Sequence, residues 1–158
     1  MTVRRAGPVL LLVLAAAPLY ARAQAPFRPE LRADAIAGRV PALHLGVGAS
    51  RPAGTYARLV GVAAQGIAWK GGDVRYAARL DLLGRFFLDP MANRSTAWYG
   101  SGGVSLVYDG FERWRPLLTL AIGVEGPARG PVSPAAEVGL GGGARVAIIL
   151  RWRRGALR

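Results

Sequence analysis

His44 is the only histidine in the 158-residue chain, and it is the side chain best suited to general-base chemistry near neutral pH. An imidazole beside a serine hydroxyl can activate that hydroxyl for nucleophilic attack, and a carboxylate can orient the imidazole. The serines available for this are Ser50, Ser101 and Ser105, and the carboxylates are those of Asp81 and Glu137. No spacing in the sequence links these residues. We therefore expect His44 to be a polar interior or rim residue and predict no catalytic residues.

Paired carboxylates are a second kind of candidate chemistry. Asp81 with Glu137, or Glu125 with Glu137, could act as a general acid and a general base. Four arginines share the strand parity of these acidic residues, namely Arg75, Arg79, Arg85 and Arg145. Structural salt bridges are the simpler interpretation of so many opposite charges.

The sequence gives no indication of a cofactor or metal. The glycine-rich segment 139–143 lacks the following Lys-Ser/Thr and the helix of a phosphate-binding loop. One histidine, no cysteine and no carboxylates at ligand spacing do not form a metal site. We predict no bound cofactor and no metal.

The segment from Val74 to Leu88 indicates which element would position these side chains. Its even-numbered residues are mainly apolar, whereas Arg75, Arg79, Asp81 and Arg85 lie on the odd parity. Successive side chains of a β-strand point to opposite faces, so this segment predicts a strand with one apolar and one charged face. Its length of about fifteen residues exceeds the usual five or six of a soluble strand. Long strands of this polarity are typical of transmembrane barrels.

Alternating patterns predict six clear strands with short connections, and Asp109-Gly110 predicts a hairpin turn between two of them. These strands cover approximately 43–50, 56–69, 74–88, 98–108, 114–125 and 135–153. Residues 27–41 could add a seventh, near 33–40, and a turn at 141–143 could divide the last segment. We predict an all-β fold, an antiparallel meander closing into a small up-and-down β-barrel of six or possibly eight strands.

The beginning of the chain predicts a secretion signal. Arg4 and Arg5 precede an uncharged apolar run from Pro8 to Tyr20, and Ala21-Arg22-Ala23 offers a small-x-small cleavage site. The apolar run is shorter than the ~20 residues of a membrane-spanning helix. We predict a signal peptide (1–23), a lead-in segment (24–41), a β-barrel domain (42–153) and a C-terminal tail (154–158).

The charge of the chain is +12, but its distribution argues against nucleic-acid binding. Twenty-one residues are Lys or Arg, of which only Lys70 is a lysine, and they are scattered among strands and turns. Nucleic-acid-binding proteins cluster basic residues on one face or helix.

The absence of cysteine excludes disulfides. An exported domain without disulfides depends on its own core or on a membrane for stability.

Three features together resemble the small outer-membrane β-barrel proteins of bacteria. Aromatic residues concentrate near strand ends, ionic residues lie opposite the apolar parity, and an even strand number returns both termini to one side. The last strand is similar to the assembly signal of that class, with alternating apolar residues at Val146, Ile148, Leu150 and Trp152. The chain departs from the pattern by continuing to Arg158 without a terminal aromatic.

The resemblance implies an outer-membrane location, with lipid and the barrel-assembly machinery as partners and no nucleic acid. A small barrel filled by side chains implies a structural or surface role, not an enzyme, without an open pore. Two alternatives remain: a soluble periplasmic β-sandwich or lipocalin-like carrier of a small apolar ligand, and a membrane-embedded lipid-modifying hydrolase that uses His44. The direction in which the apolar residues point separates the membrane barrel from the soluble carrier. An outward apolar face on a closed barrel meets lipid, whereas an inward one forms a core or a ligand cavity. On the same grounds, we expect arginine to be more damaging at Leu80 than at inward-facing Ala77.

Overall fold

The computed structural model of the chain describes residues 27–88, 96–128 and 130–152. The predicted signal peptide (1–23) and C-terminal tail (154–158) lie outside these residues. Eight strands form the fold: β1 (Arg28–Ala37), β2 (Ala42–Pro52), β3 (Ala57–Lys70), β4 (Asp73–Phe87), β5 (Ala97–Tyr108), β6 (Arg115–Glu125), β7 (Val132–Leu140) and β8 (Ala144–Trp152). No helix within the described ranges has the length and apolar character needed to cross a membrane.

Each strand pairs antiparallel with the next along the chain, and β8 pairs with β1 to close the barrel. Closure is well formed, since eight successive residue pairs connect β1 to β8, from Glu30 opposite Arg151 to Ala37 opposite Ala144. The prediction of an all-β up-and-down barrel is confirmed, with eight strands.

One boundary differs from the prediction, and one division that the sequence left open is present. Strand β1 lies inside the segment 24–41 that was predicted as a lead-in, so the barrel begins at Arg28 and not at residue 42. The outward residues Ala33, Ala35 and Ala37 are small, which weakens the alternation on which the prediction depended. The long last segment is divided at residues 141–143, where Gly142 adopts a φ of 91° that favours glycine.

The two ends of the barrel differ in what they carry. The end at which β1 begins and β8 finishes, called here the terminal end, also holds the connections 53–56, 88–96 and 126–131. The opposite end, called the turn end, holds the connections 38–41, 71–72, 109–114 and 141–143. The predicted hairpin at Asp109-Gly110 is present, but it is a six-residue connection. Its first turn is held by Asp109 Oδ1, which accepts hydrogen bonds from the backbone N–H groups of Phe111 (3.0 Å) and Glu112 (2.9 Å).

Inward-facing glycines allow neighbouring strands to approach closely. A Cβ on Gly66 would overlap the carbonyl oxygen of Leu43 on β2, and a Cβ on Gly103 would overlap that of Leu82 on β4. Glycine inside a strand commonly marks such a close backbone approach. These positions help a sheet of only eight strands to curve tightly around its interior.

Candidate functional site

The outer surface of the barrel is apolar on every strand. Leu82 is 67% exposed on β4, Leu118 is 79% exposed on β6 and Ile148 is 64% exposed on β8. The other strands also present large exposed aliphatic side chains: Leu31 on β1, Leu43, Leu45 and Val47 on β2, Leu59 and Ile67 on β3, Val104 and Leu106 on β5, Val138 and Leu140 on β7. The apolar parity identified in the sequence therefore points outward over a closed barrel.

Exposed aromatic side chains form two groups, one at each end of this aliphatic surface. The terminal end carries Phe27, Tyr56, Phe86, Trp98 and Trp152, and the turn end carries Trp69, Tyr76 and Trp114. Near the turn end, Tyr108 also stacks on Trp114 with ring centroids 5.5 Å apart. Aromatic girdles at both margins of an apolar band are the arrangement found at the two interfaces of a membrane.

The interior of the barrel holds a large ionic group, with small apolar clusters beside it. Its buried arginines are Arg32, Arg79, Arg85, Arg145 and Arg151, none more than 2% exposed. The carboxylates that face them are those of Glu30, Asp34, Asp81 and Glu137, all buried, and that of Glu125, which is partly exposed. This group of ten residues is called the ionic core below.

Glu137 on β7 is the centre of the ionic core. Its Oε2 accepts a hydrogen bond from Arg32 Nη2 on β1, and its Oε1 accepts one from Arg85 Nη2 on β4 at 3.1 Å. The hydroxyl of Tyr99 on β5 also donates to Oε1, at 3.0 Å. One carboxylate thus connects side chains from three other strands across the interior.

Toward the turn end, arginines and aspartates alternate. Asp34 accepts from Arg32 Nε at 3.0 Å and from Arg145 Nε at 2.7 Å. Arg145 Nη2 donates in turn to Asp81 at 3.1 Å, and Asp81 accepts from Arg79 Nε at 2.6 Å. This row joins β8, β1 and β4 into one hydrogen-bonded chain.

Toward the terminal end, Arg151 is the arginine that connects the acidic side chains. It donates to Glu125 at 2.6 Å, to Glu30 at 3.3 Å and to the Tyr99 hydroxyl at 2.8 Å. Glu30 also accepts from Arg85 Nη1, at 3.3 Å. Through Arg85, this group is continuous with the bonds around Glu137.

Five arginines face five carboxylates in the ionic core, and Arg58, which is 20% exposed, adds a sixth cation at its margin, 3.7 Å from Glu125. Taking an ion out of water costs several kcal/mol, and only close pairing with further hydrogen bonds offsets that cost. The predicted salt bridges of Arg79, Arg85 and Arg145 are present in the ionic core. Arg75 lies exposed at the turn end, where it pairs with Asp73 at 3.9 Å and donates to the Gly110 carbonyl at 3.0 Å. The sequence analysis did not single out Glu30, Arg32 or Asp34, although their i, i+2, i+4 spacing was a usable signal.

His44 is buried at 4% exposure and lines a small cavity near the turn end, together with Asp109 and Leu117. Neither ring nitrogen has a hydrogen-bond partner within the part of the chain that the structure describes. The interior position agrees with the polar role predicted for this residue.

The residues of the hypothetical hydrolase are not assembled around His44. The hydroxyl of Ser50 donates to the Arg28 carbonyl at 3.5 Å, and that of Ser105 lies 2.6 Å from Thr119 Oγ1. The two carboxylates proposed to orient the imidazole, those of Asp81 and Glu137, accept from arginines. Within the described residues, Ser101 Oγ has no hydrogen-bond partner, and neither has the ring of His44. The candidate serines and carboxylates are therefore not hydrogen-bonded to the histidine.

The remaining candidate chemistry has a structural explanation. The segment 139–143 forms the end of β7 and the turn into β8. Among the described residues, no three His, Cys, Asp or Glu side chains lie together as metal ligands.

Comparisons with known proteins do not assign the chain to a family: no family model matches it, and no curated protein matches it significantly. Function is therefore argued from the geometry of the barrel.

Proposed function

We propose that this protein is a small integral outer-membrane β-barrel with a structural role and no open pore. The single observation that carries the proposal is the inverted polarity of the barrel, which has aliphatic side chains outside and ionic ones inside. Monomeric soluble proteins rarely expose contiguous apolar patches beyond a few hundred Å². In a bilayer the same surface is solvated by acyl chains, and a closed ring of strands supplies backbone hydrogen bonds that lipid cannot.

The outer membrane is the proposed location because two independent features agree. The sequence predicts an export signal at residues 1–23, and a closed barrel with aromatic groups at both margins suits the outer membrane. Lipid and the barrel-assembly machinery are the partners that this location requires.

The interior favours a structural role over transport. An eight-stranded barrel is just wide enough to be filled by side chains, and here arginines are the largest fully buried ones. The five connections that the structure describes in full, at 38–41, 53–56, 71–72, 109–114 and 141–143, span six residues or fewer, which leaves little surface there for recognition beyond the membrane. We therefore favour a structural over a surface-binding role.

A soluble carrier fits the structure less well. A β-sandwich consists of two packed sheets, whereas this sheet closes on itself. A lipocalin-like carrier needs an apolar interior, but the cavity beside His44 measures about 20 Å³, against the ~300–1,000 Å³ of ordinary ligand pockets.

The proposed role is also non-enzymatic. The buried carboxylates of the ionic core each accept hydrogen bonds from arginine, so they are already engaged in structural contacts. His44 has no serine or carboxylate bonded to it that would form a nucleophilic pair.

Cell fractionation with a heat-dependent mobility test checks the proposal. Folded membrane barrels resist dodecyl sulfate until they are boiled, so we expect the protein in the outer-membrane fraction, with different mobilities before and after boiling. Recovery in the soluble periplasmic fraction would contradict the proposal and favour the carrier.

A further inference from the structure

We infer that the protein pairs with a second copy of itself in the membrane, through the outer face of β3 around Gln65. This inference rests on the proposed membrane location. Away from the strand ends, the described outward side chains are apolar or glycine on all eight strands, with Gln65 as the exception. A polar group at such a position requires an explanation.

Gln65 lies deep within the apolar surface. It is exposed on β3, four residues from Trp69 at the turn end and six from Leu59 toward the terminal end. At ~3.3 Å per residue and a strand tilt of ~40°, it is about 10 Å of depth from the tryptophan that marks the interface. Acyl chains at that depth offer no hydrogen bond, and an unsatisfied polar group in hydrocarbon is costly.

The residues around Gln65 do not satisfy its amide. Its cross-strand partners are Leu45 on β2 and Ala78 on β4, and Ala63 is its neighbour along the same face. All three side chains are apolar, so none can bond the amide. Ala63 is small and exposed, which lets another protein surface approach the amide closely, whereas Ala78 is already covered by its neighbours at 8% exposure.

A second copy of this chain is the occupant that the amide specifies. A carboxamide is both donor and acceptor, so two carboxamides can bond reciprocally across a two-fold axis. Two copies inserted in the same direction have their Gln65 side chains at the same depth. A lipid chain supplies neither donor nor acceptor, and polar side chains are known to join membrane segments in this way.

A groove beside Gln65 extends this contact surface. The register places Ile148, Ala33, Leu45 and Gln65 in one row across β8, β1, β2 and β3. Because Ala33 and its neighbour Ala35 are small, the surface between the larger residues is a groove of about 450 Å³. The part of this groove next to Gln65, between Leu45 and Ile67, can receive side chains of the second copy, which gives the amide pair an apolar surround.

Cross-linking in vesicles tests the inference, and the absence of cysteine from the chain makes the design clean. Ala63→Cys introduces a single thiol beside an intact Gln65, and Val138→Cys introduces one on β7, four strands away. Both proteins are refolded into phosphatidylethanolamine–phosphatidylglycerol vesicles at high lipid excess and treated with a short bismaleimide. We expect a cross-linked dimer with Ala63→Cys and mainly monomer with Val138→Cys.

The amide is then removed by combining Ala63→Cys with Gln65→Leu. Side-chain hydrogen bonds between membrane segments are worth roughly 0.6–2 kcal/mol, so we expect a three- to thirty-fold weaker dimerisation constant. Heat-dependent mobility is recorded for every sample. A folded, inserted barrel that stays monomeric, dimers that persist after Gln65→Leu, or equal cross-linking from both sites would each overturn the dimer. Failure to insert at all would contradict the proposed function itself.

Discussion

The aromatic ring of Tyr99 lies directly over Gly123, its cross-strand partner on β6. A Cβ at residue 123 would come within 2.5 Å of the ring's Cε2 atom. The absence of a side chain at Gly123 therefore lets Tyr99 lie flat against the sheet, where its hydroxyl reaches both Glu137 and Arg151. A glycine on one strand thus determines the position of a hydrogen-bonding group in the ionic core.

Gly123→Ala is expected to destabilise the barrel by about 1–3 kcal/mol, the usual cost of overpacking a well-filled interior. The displaced ring would also lose its hydrogen bonds to the ionic core. Gly100→Ala is the matched control, because a Cβ at that neighbouring position meets no atom within 4 Å. Urea titration of the vesicle-inserted proteins measures both, and equal midpoints would contradict the packing argument.

Glu137→Gln is expected to cost about 3–5 kcal/mol of folding free energy, because Arg32 and Arg85 would then be buried without their carboxylate. Glu112→Gln is the control, since Glu112 pairs with Arg115 at 2.7 Å but both side chains are more than a third exposed. Exposed pairs contribute at most about 1 kcal/mol. Denaturant unfolding compares the two variants. Similar losses of unfolding free energy would show that the ionic core contributes no more to stability than an exposed ion pair.

Leu80→Arg is expected to impair membrane folding far more than Val74→Arg, although both residues lie on the outer face of β4. Arginine on the lipid face costs ~2–4 kcal/mol near the bilayer midplane and ~0–1 kcal/mol near the interface, where Val74 lies beside Tyr76. Folding yield in vesicles is the measurement. Equal tolerance of both variants would indicate an outer face that meets water.

The sequence suggests comparing Leu80→Arg with Ala77→Arg, but this pair of variants does not isolate the effect of contact with lipid. Ala77 does face inward, but it is fully buried in an apolar cluster with Val40, Ala42 and Ala68, against which Phe111 packs. Arginine at that position would be overpacked, so its effect would not report on the ionic interior. The sequence pattern indicated the correct face without revealing that Ala77 lies in an apolar cluster beside the arginines and aspartates of the interior.

His44→Ala is expected to leave folding stability within about 1 kcal/mol of wild type, because its ring nitrogens make no protein hydrogen bond to lose. Wild type and variant are both offered lipid and acyl-ester substrates in detergent. General-base catalysis contributes about 10²–10⁴-fold, so a catalytic histidine would be evident. Turnover by wild type that disappears in the variant would support the hydrolase instead.

The exported protein is expected to begin at or near Gln24, after cleavage at Ala21-Arg22-Ala23. Intact mass spectrometry of the protein recovered from the cell envelope checks this directly. A mass that still includes Met1 would contradict the signal peptide, and with it one of the two supports for an outer-membrane location.

The sequence was most informative where one strand carries both a strong apolar and a strong charged parity. Strand periodicity correctly placed Leu80 and Leu82 on the face of β4 opposite to Arg79 and Asp81. That the apolar face points outward is known only from the closed barrel. The pairing of Arg32 with Glu137 could not be predicted, since these residues lie 105 positions apart and meet only when the barrel closes. Sequence alternation gives the face of a residue but not its partner across the interior.

The ion pairs between the first and last strands carry a consequence for assembly. Arg145 bonds Asp34 from 111 positions away, and Arg151 bonds Glu30 from 121 positions away. A ring with one strand too few or too many, or a seam slipped by two residues, would leave these arginines facing the wrong neighbours in a poorly solvating interior. The charges inside the barrel therefore select for correct assembly, because all of their ion pairs form only when the eight strands close in the native register.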